Sequence, residues 1–171
     1  MAQQTLTNAN EGAFDYSLRS KVNANFTDLY NRATPARQSA DVVVDESTTL
    51  TNLTGLVATL AVGTYKFRVA LQCLATANGG TKVAFVYATP TSIQCEAKAF
   101  TASAVAVTRF TTTTSAASIV AATAANICIE LEGTIVVATA GTIQVQGAQN
   151  VSHADETTYY AGSTLEVYQI A

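Results

Sequence analysis

The chain has 171 residues, of which 49% are apolar and only 12% charged, with a formal net charge of −3. That is one domain's worth of chain with an appendage, at about half the charge usual for a soluble globular protein, the balance being Thr, Ala, Ser, Gln and Asn. The negative balance speaks against general phosphate-backbone binding, which needs clustered Lys and Arg; no apolar run reaches the ~18 residues of a membrane-spanning helix.

Residues 1–7 lack the apolar core of a signal peptide, so the expectation is synthesis in a cytoplasm, with no nucleic-acid and no membrane partner. The first element is a helix over residues 14–32. Phe14, Leu18, Val22, Phe26 and Leu29 recur at spacings of four, four, four and three, with Tyr30 beside the last, and so share one face. Asn10 or Asp15 offers a start, and Asn31 to Pro35 a stop. A helix of about 17 residues with one apolar stripe is marginal alone. Its stripe needs a cover, from its own β-domain, from copies of itself or from another protein. Asn25 falls where a heptad would want Leu or Ile, so the stripe is not a coiled-coil seam. Arg19, Lys21, Arg32 and Arg37 cluster in or just after this arm.

Beyond Pro35 the period changes to two. Tyr65, Phe67, Val69 and Leu71 alternate with Lys66, Arg68, Ala70 and Gln72 after Gly63, the pattern of a half-buried strand. The same alternation recurs at Val83, Phe85 and Tyr87, at Ile127, Ile129 and Leu131, and at Ile143 and Val145. With Val42–Val44, 49–60, 93–100, 105–110 and 165–170 the count reaches eight to ten strands with no intervening helical pattern. The expected fold is all-β, an antiparallel sandwich, with a jelly roll the commonest arrangement of eight strands. Gly79-Gly80 reads as a hairpin turn. Residues 101–125 are rich in Thr, Ala and Ser; a strand is expected over 105–113 and a loop or packed small-residue surface beyond, with Ala121 to Ala125 a candidate lining for a threefold axis. The predicted units are 1–38, a helical arm and linker, and 39–171, the β-domain.

Cysteine parity is informative. Cys73 shares a face with Phe67 and Leu71, and Cys95 with Ile93 and Ala97, which predicts two buried thiols; Cys128 shares its face with Glu130 and Glu132, which predicts an outward or interfacial one. Three cysteines without a C-x-x-C spacing suggest neither a zinc site nor a complete disulfide framework.

Candidates for chemistry are few. His153 lies near Asp155 and Glu156, a set that a divalent metal could use but that a solvated loop explains better. Glu130 and Glu132 sit two residues apart on one strand face, roughly 7 Å between side chains, compatible with a glycosidase carboxylate pair; without Trp there is no sugar platform, and a polar sheet face is the plainer reading. No nucleophile–histidine arrangement and no phosphate loop can be argued. Tyr159 and Tyr160 are either an exposed aromatic ligand patch or residues at the edge of the core or an interface. No catalytic residue, cofactor or metal is expected.

The stretch Arg19-Ser20-Lys21-Val22-Asn23-Ala24-Asn25-Phe26-Thr27-Asp28-Leu29-Tyr30 resembles an N-terminal segment of many tailed-bacteriophage structural proteins, commonly Arg, a few residues, then Lys-Ile-Asn-x-Asn-Phe-x-Glu-Leu-Tyr. Val22 stands for the Ile and Asp28 for the Glu, and Gln4-Thr5-Leu6 also resembles that family's opening. Further on, Thr54-Gly55-Leu56, Leu60 to Val69, Gly79 to Phe85, Leu131 to Ile135, Ala140 to Gln146 and Ala161 to Ile170 are similar in order to jelly rolls of the C1q and tumour-necrosis-factor type, which occur as trimeric knobs on phage fibres.

The resemblance implies a non-enzymatic virion protein, a homotrimeric jelly-roll knob anchored by its N-terminal arm as a capsid decoration, head fibre or short tail fibre. The residues expected to carry virion attachment or oligomerisation on this helix are Leu18, Val22, Asn23, Asn25, Phe26, Leu29 and Tyr30, whose partners would be capsid or tail proteins or the helix's own symmetry mates. A receptor-binding module for a host-surface glycan or protein is the alternative, and a carbohydrate-active enzyme a third.

Overall fold

In the computed structural model the described residues are 20–23, 35–87, 90–101, 104–111, 117–119 and 125–170. The chain divides into two units, Met1–Thr34 and Pro35–Ala171. In the first, residues 20–23 are helical, with Val22 and Asn23 half-buried; the rest of the expected helix, including Leu18, Asn25, Phe26, Leu29 and Tyr30, lies outside the described residues.

The second unit is an antiparallel β-sandwich, as the two-residue period requires. Its strands are β1 (Ala36–Arg37), β2 (Val42–Val44), β3 (Thr51–Leu60), β4 (Gly63–Ala75), β5 (Thr81–Tyr87), β6 (Pro90–Phe100), β7 (Val105–Phe110), β8 (Ala117–Ile119), β9 (Ala125–Val137), β10 (Gly141–Ala148), β11 (Thr157–Tyr159) and β12 (Thr164–Gln169). The first sheet runs β1-β12-β4-β9-β6-β7, with β11 bridging β2 and β4; the second runs β3-β10-β5-β8. From β2 to β11 the strands alternate between layers, apart from the β6–β7 pair, and β12 and β4, or β10 and β3, become neighbours although far apart in sequence. This is a jelly roll, with the β6–β7 hairpin added to the edge of the first sheet.

Inward residues fill one core. Phe67, Val69, Leu71, Ile129, Leu131, Ile135 and Leu165 from the first sheet meet Leu53, Leu56, Phe85, Ile143 and Val145 from the second, all essentially inaccessible to water. Phe67 and Phe85 pack edge to face with centroids 4.8 Å apart across the layers.

Several local expectations change. The turn at Gly79-Gly80 does not close a hairpin, because β4 and β5 belong to different sheets; the Gly80 N–H donates to the Thr76 carbonyl (2.9 Å) and the chain crosses between layers there. Strand β7 ends at Phe110, and a further strand, β8, lies where a loop was expected. Residues 121–124 lie outside the described residues, and Ala125 begins β9.

The start of the β-domain is held at several points. Ala36 and Arg37 pair with Leu165 and Thr164. Gln38 is fully buried, and its side-chain amide donates to the carbonyls of Tyr159 (2.7 Å) and Ala40 (2.9 Å). The Gln38 N–H donates to the Ser163 carbonyl and its carbonyl accepts from the Gly162 N–H, each at 2.9 Å. The Arg37 carbonyl presses on Gly55, which has φ +89° and no room for a Cβ. A boundary after residue 38 would cut through this clasp; the division between Thr34 and Pro35 leaves it whole.

Candidate functional site

The two outer faces are built from the same alternation but from different side chains. On the first sheet the register places Glu166, Arg68, Glu132, Glu96 and Arg109 in one cross-strand row, and Thr164, Ala70, Glu130, Lys98 and Val107 in the next. Arg68 bridges Glu130 (3.1 Å) and Glu132 (3.4 Å), while Glu96 receives both Lys98 (3.1 Å) and Arg109 (2.9 Å). Hydrogen bonds from Arg109 and then Lys98 hold the Glu96 carboxyl below the usual carboxylate range. Glu96 and Glu132 stand directly opposite each other, and these cations offset a like-charge pairing that would otherwise be unfavourable. Glu130 and Glu132 thus share the guanidinium of Arg68 in an exposed ladder.

The second sheet presents Val57, Gln144 and Val86 in one row and Asn52 and Gln146 in another. Gln144 reaches into an irregular stretch of β3, where the register slips; its amide lies 2.9 Å from the Leu53 carbonyl, 3.1 Å from that of Leu56 and 2.9 Å from that of Val145. The Gln146 amide donates to the Asn52 side-chain oxygen at 2.8 Å. Lys82 is the one charged residue that the described strands place on this face.

The remaining candidates separate. Tyr159 is completely buried, which removes it from any ligand patch. Its hydroxyl is bonded to that of Thr81 and lies 3.0 Å from the Lys82 carbonyl and 3.1 Å from that of Ala148, so a residue of the first sheet is fastened into the second. Gly147 makes room for the ring, since a Cβ there would fall on it. Burial pushes the phenol well above its ordinary range. Tyr160 is half-buried and donates to the Asn126 side-chain oxygen at 3.2 Å.

His153 accepts the Asp155 N–H at Nδ1 (3.0 Å) in a surface loop organised by the buried Gln149, whose side chain meets the backbone of Ser47, His153 and Asp155. Among the described residues no group of three or more His, Cys, Asp or Glu gathers as a metal cage. Cys73 and Cys95 are buried and unpaired, and Cys128 is half-buried on the charged face, as parity predicts. Desolvation raises the first two thiols to about 12.

A cleft of about 470 Å³ opens near the β6–β7 edge of the charged face, lined chiefly by Gln94, Glu96, Arg109, Phe110, Glu132 and Thr134. Parity places Gln94, Glu96, Glu132 and Thr134 outward, but register, not spacing along one strand, brings them together. No protein-family model and no curated protein matches the chain.

Proposed function

We propose that the chain is a non-enzymatic structural component of a tailed-bacteriophage particle, a trimeric jelly-roll knob displayed by its N-terminal arm as a capsid decoration, head fibre or short tail fibre. The observation that carries this reading is the division at Thr34/Pro35. The segment resembling phage structural proteins ends just before it, and the clasp at Arg37 and Gln38 begins just after it. An arm that grips a particle would pass its load directly into the jelly roll through this clasp. The scarcity of charge over the second sheet suits a surface covered in an assembly.

Light scattering of the purified chain should report three copies of 17.8 kDa, and imaging of particles with and without the protein should place the knob on head or tail. A stable monomer at micromolar concentration would remove the trimer. The second reading, a host-glycan binding module, is favoured by the cleft, whose amide, hydroxyl and carboxylate groups suit a polyhydroxylated ligand. Glycan-array binding that is lost in Gln94→Ala would support it.

A further inference from the structure

Edge strands invite pairing, and most of the edges in this sandwich are blunted. At one border of the first sheet, β1 has two residues and β2 three; at one border of the second, β8 has three. The other border of the second sheet, β3, carries the Gly55 irregularity opposite β10. Shortness and bulges are the devices that keep edges from templating other strands. Strand β7 has neither. It runs six residues in unbroken register with β6, and among the described residues nothing pairs with its far edge.

Its chemistry is equally open. From Ala99 to Thr108 there is no charged residue, where an unprotected edge would ordinarily carry lysine or proline. Val105 and Val107 are 55% and 53% exposed, and Phe100, paired with Val105, is 37% exposed on the same face. Ala106 is exposed on the opposite face. The hairpin tip is closed by Thr101, whose N–H and hydroxyl both donate to the Ala104 carbonyl at 3.0 Å.

We propose that β7 is a docking edge for a second copy of this chain, the two β7 strands pairing antiparallel about Ala106 to join the first sheets of two protomers. The segment Val105-Ala106-Val107 reads the same in both directions. Pairing about its centre sets Val105 against Val107 of the second copy, and Val107 against its Val105. Phe100 then extends the apolar face on each side. Charge fits the same register: Lys98, opposite Val107 on β6, and Arg109, two residues beyond Val107, are both ion-paired with Glu96 and stand clear of the Val105–Val107 contacts. A register centred on Arg109 would instead oppose two guanidinium groups. A six-residue edge buries less than the ~1,000 Å² of a stable interface. The contact is therefore weak between free chains and strengthened wherever several knobs are held close together.

The test uses the full chain with Cys128→Ser, in which Ala106→Cys is oxidised at high protein concentration and run on a non-reducing gel. Ala106→Cys should give a covalent dimer as the main species, and Val105→Cys mixed with Val107→Cys should cross-link far more than either alone. Thr142→Cys, exposed on the other sheet, should stay monomeric on the gel. Adding Val107→Lys, which leaves the core untouched, should reduce the Ala106→Cys dimer at least tenfold with an unchanged circular dichroism spectrum. Equal cross-linking at 106 and 142, no cross-linking at 106, or a dimer indifferent to Val107→Lys would each overturn the proposal. None of these outcomes depends on incorporation into a particle, so they leave the phage reading to its own test.

Discussion

The two outer faces of the sandwich solve the same problem differently. The first sheet lays a row of charged side chains across five strands, from Glu166 through Arg68, Glu132 and Glu96 to Arg109, with exposed ion pairs over β4, β9, β6 and β7; the second uses neutral amides, with Gln144 and Gln146 reaching across to β3. Lys66, Arg68, Lys98 and Arg109 all sit on the first face, leaving only Arg37 and Lys82 among the cations of the β-domain. Exposed ion pairs gain little in water and are screened by salt. An amide that satisfies carbonyls left unpaired by a strand irregularity replaces a cost that water would only partly meet. The contrast teaches that the less charged face holds the more consequential polar contacts.

The contrast presumes one interior behind both faces, and Tyr159 is where that interior is easiest to break. Tyr159→Ala should cost about 3–5 kcal/mol in a denaturant titration, by cavity formation, and Tyr159→Phe about 1–3 kcal/mol, because the carbonyls of Lys82 and Ala148 and the Thr81 hydroxyl lose a partner. Equal stability of Tyr159→Phe and the native chain would show that the hydroxyl does not fasten the layers.

Inside and outside can also be separated by thiol chemistry. With thiols raised to about 12, Cys73 and Cys95 carry about one part in 10⁴ of thiolate at pH 8. They should react with a disulfide reagent only on unfolding, whereas Cys128 on the charged face should react in the native protein. Three equivalents taken up at one rate would contradict the strand parity.

The faces themselves are compared by Gln144→Ala against Arg68→Ala. The first should lose about 1–2 kcal/mol; the second should lose less, and the difference should narrow at low salt only if the ladder matters more than its exposure implies. A smaller effect still is expected at Glu96. Its folded-state pKa is depressed by Arg109 and Lys98, so its contribution is present above the ordinary carboxylate pKa and fades as pH falls through the folded value. Glu96→Gln should lower the neutral region slightly, leave the strongly acid end unchanged, and so flatten the acid side of the stability profile.

Much of this was legible in the sequence. The alternation around Phe67, Phe85, Ile129 and Ile143 is set by burial on one face, so it revealed the sandwich and the positions of all three cysteines. Strands β1, β8 and β11 escaped because two or three residues carry no period. The Gly79-Gly80 turn read as a hairpin because its residues specify a reversal but not which sheet receives the next strand. Tyr159 was ambiguous because an aromatic pair looks the same in sequence whether its ring is covered or not; only the Gly147 gap and the Thr81 hydroxyl decide it. The cleft and ladder residues were visible as outward positions, but their neighbours depend on cross-strand register, which has no local signature. The buried Gln38, twelve residues past Phe26, had no signal beyond an uncharged polar side chain.

The central claim is that residues 1–34 attach and residues 35–171 are displayed. The most direct measurement is incorporation of a chain lacking residues 1–34 into phage particles, with the circular dichroism and mass of the purified fragment recorded alongside. The account predicts a folded fragment, intact because the Gln38 clasp is retained, that is missing from the particles. A folded fragment incorporated at the native level would contradict it, placing the attachment surface on the jelly roll.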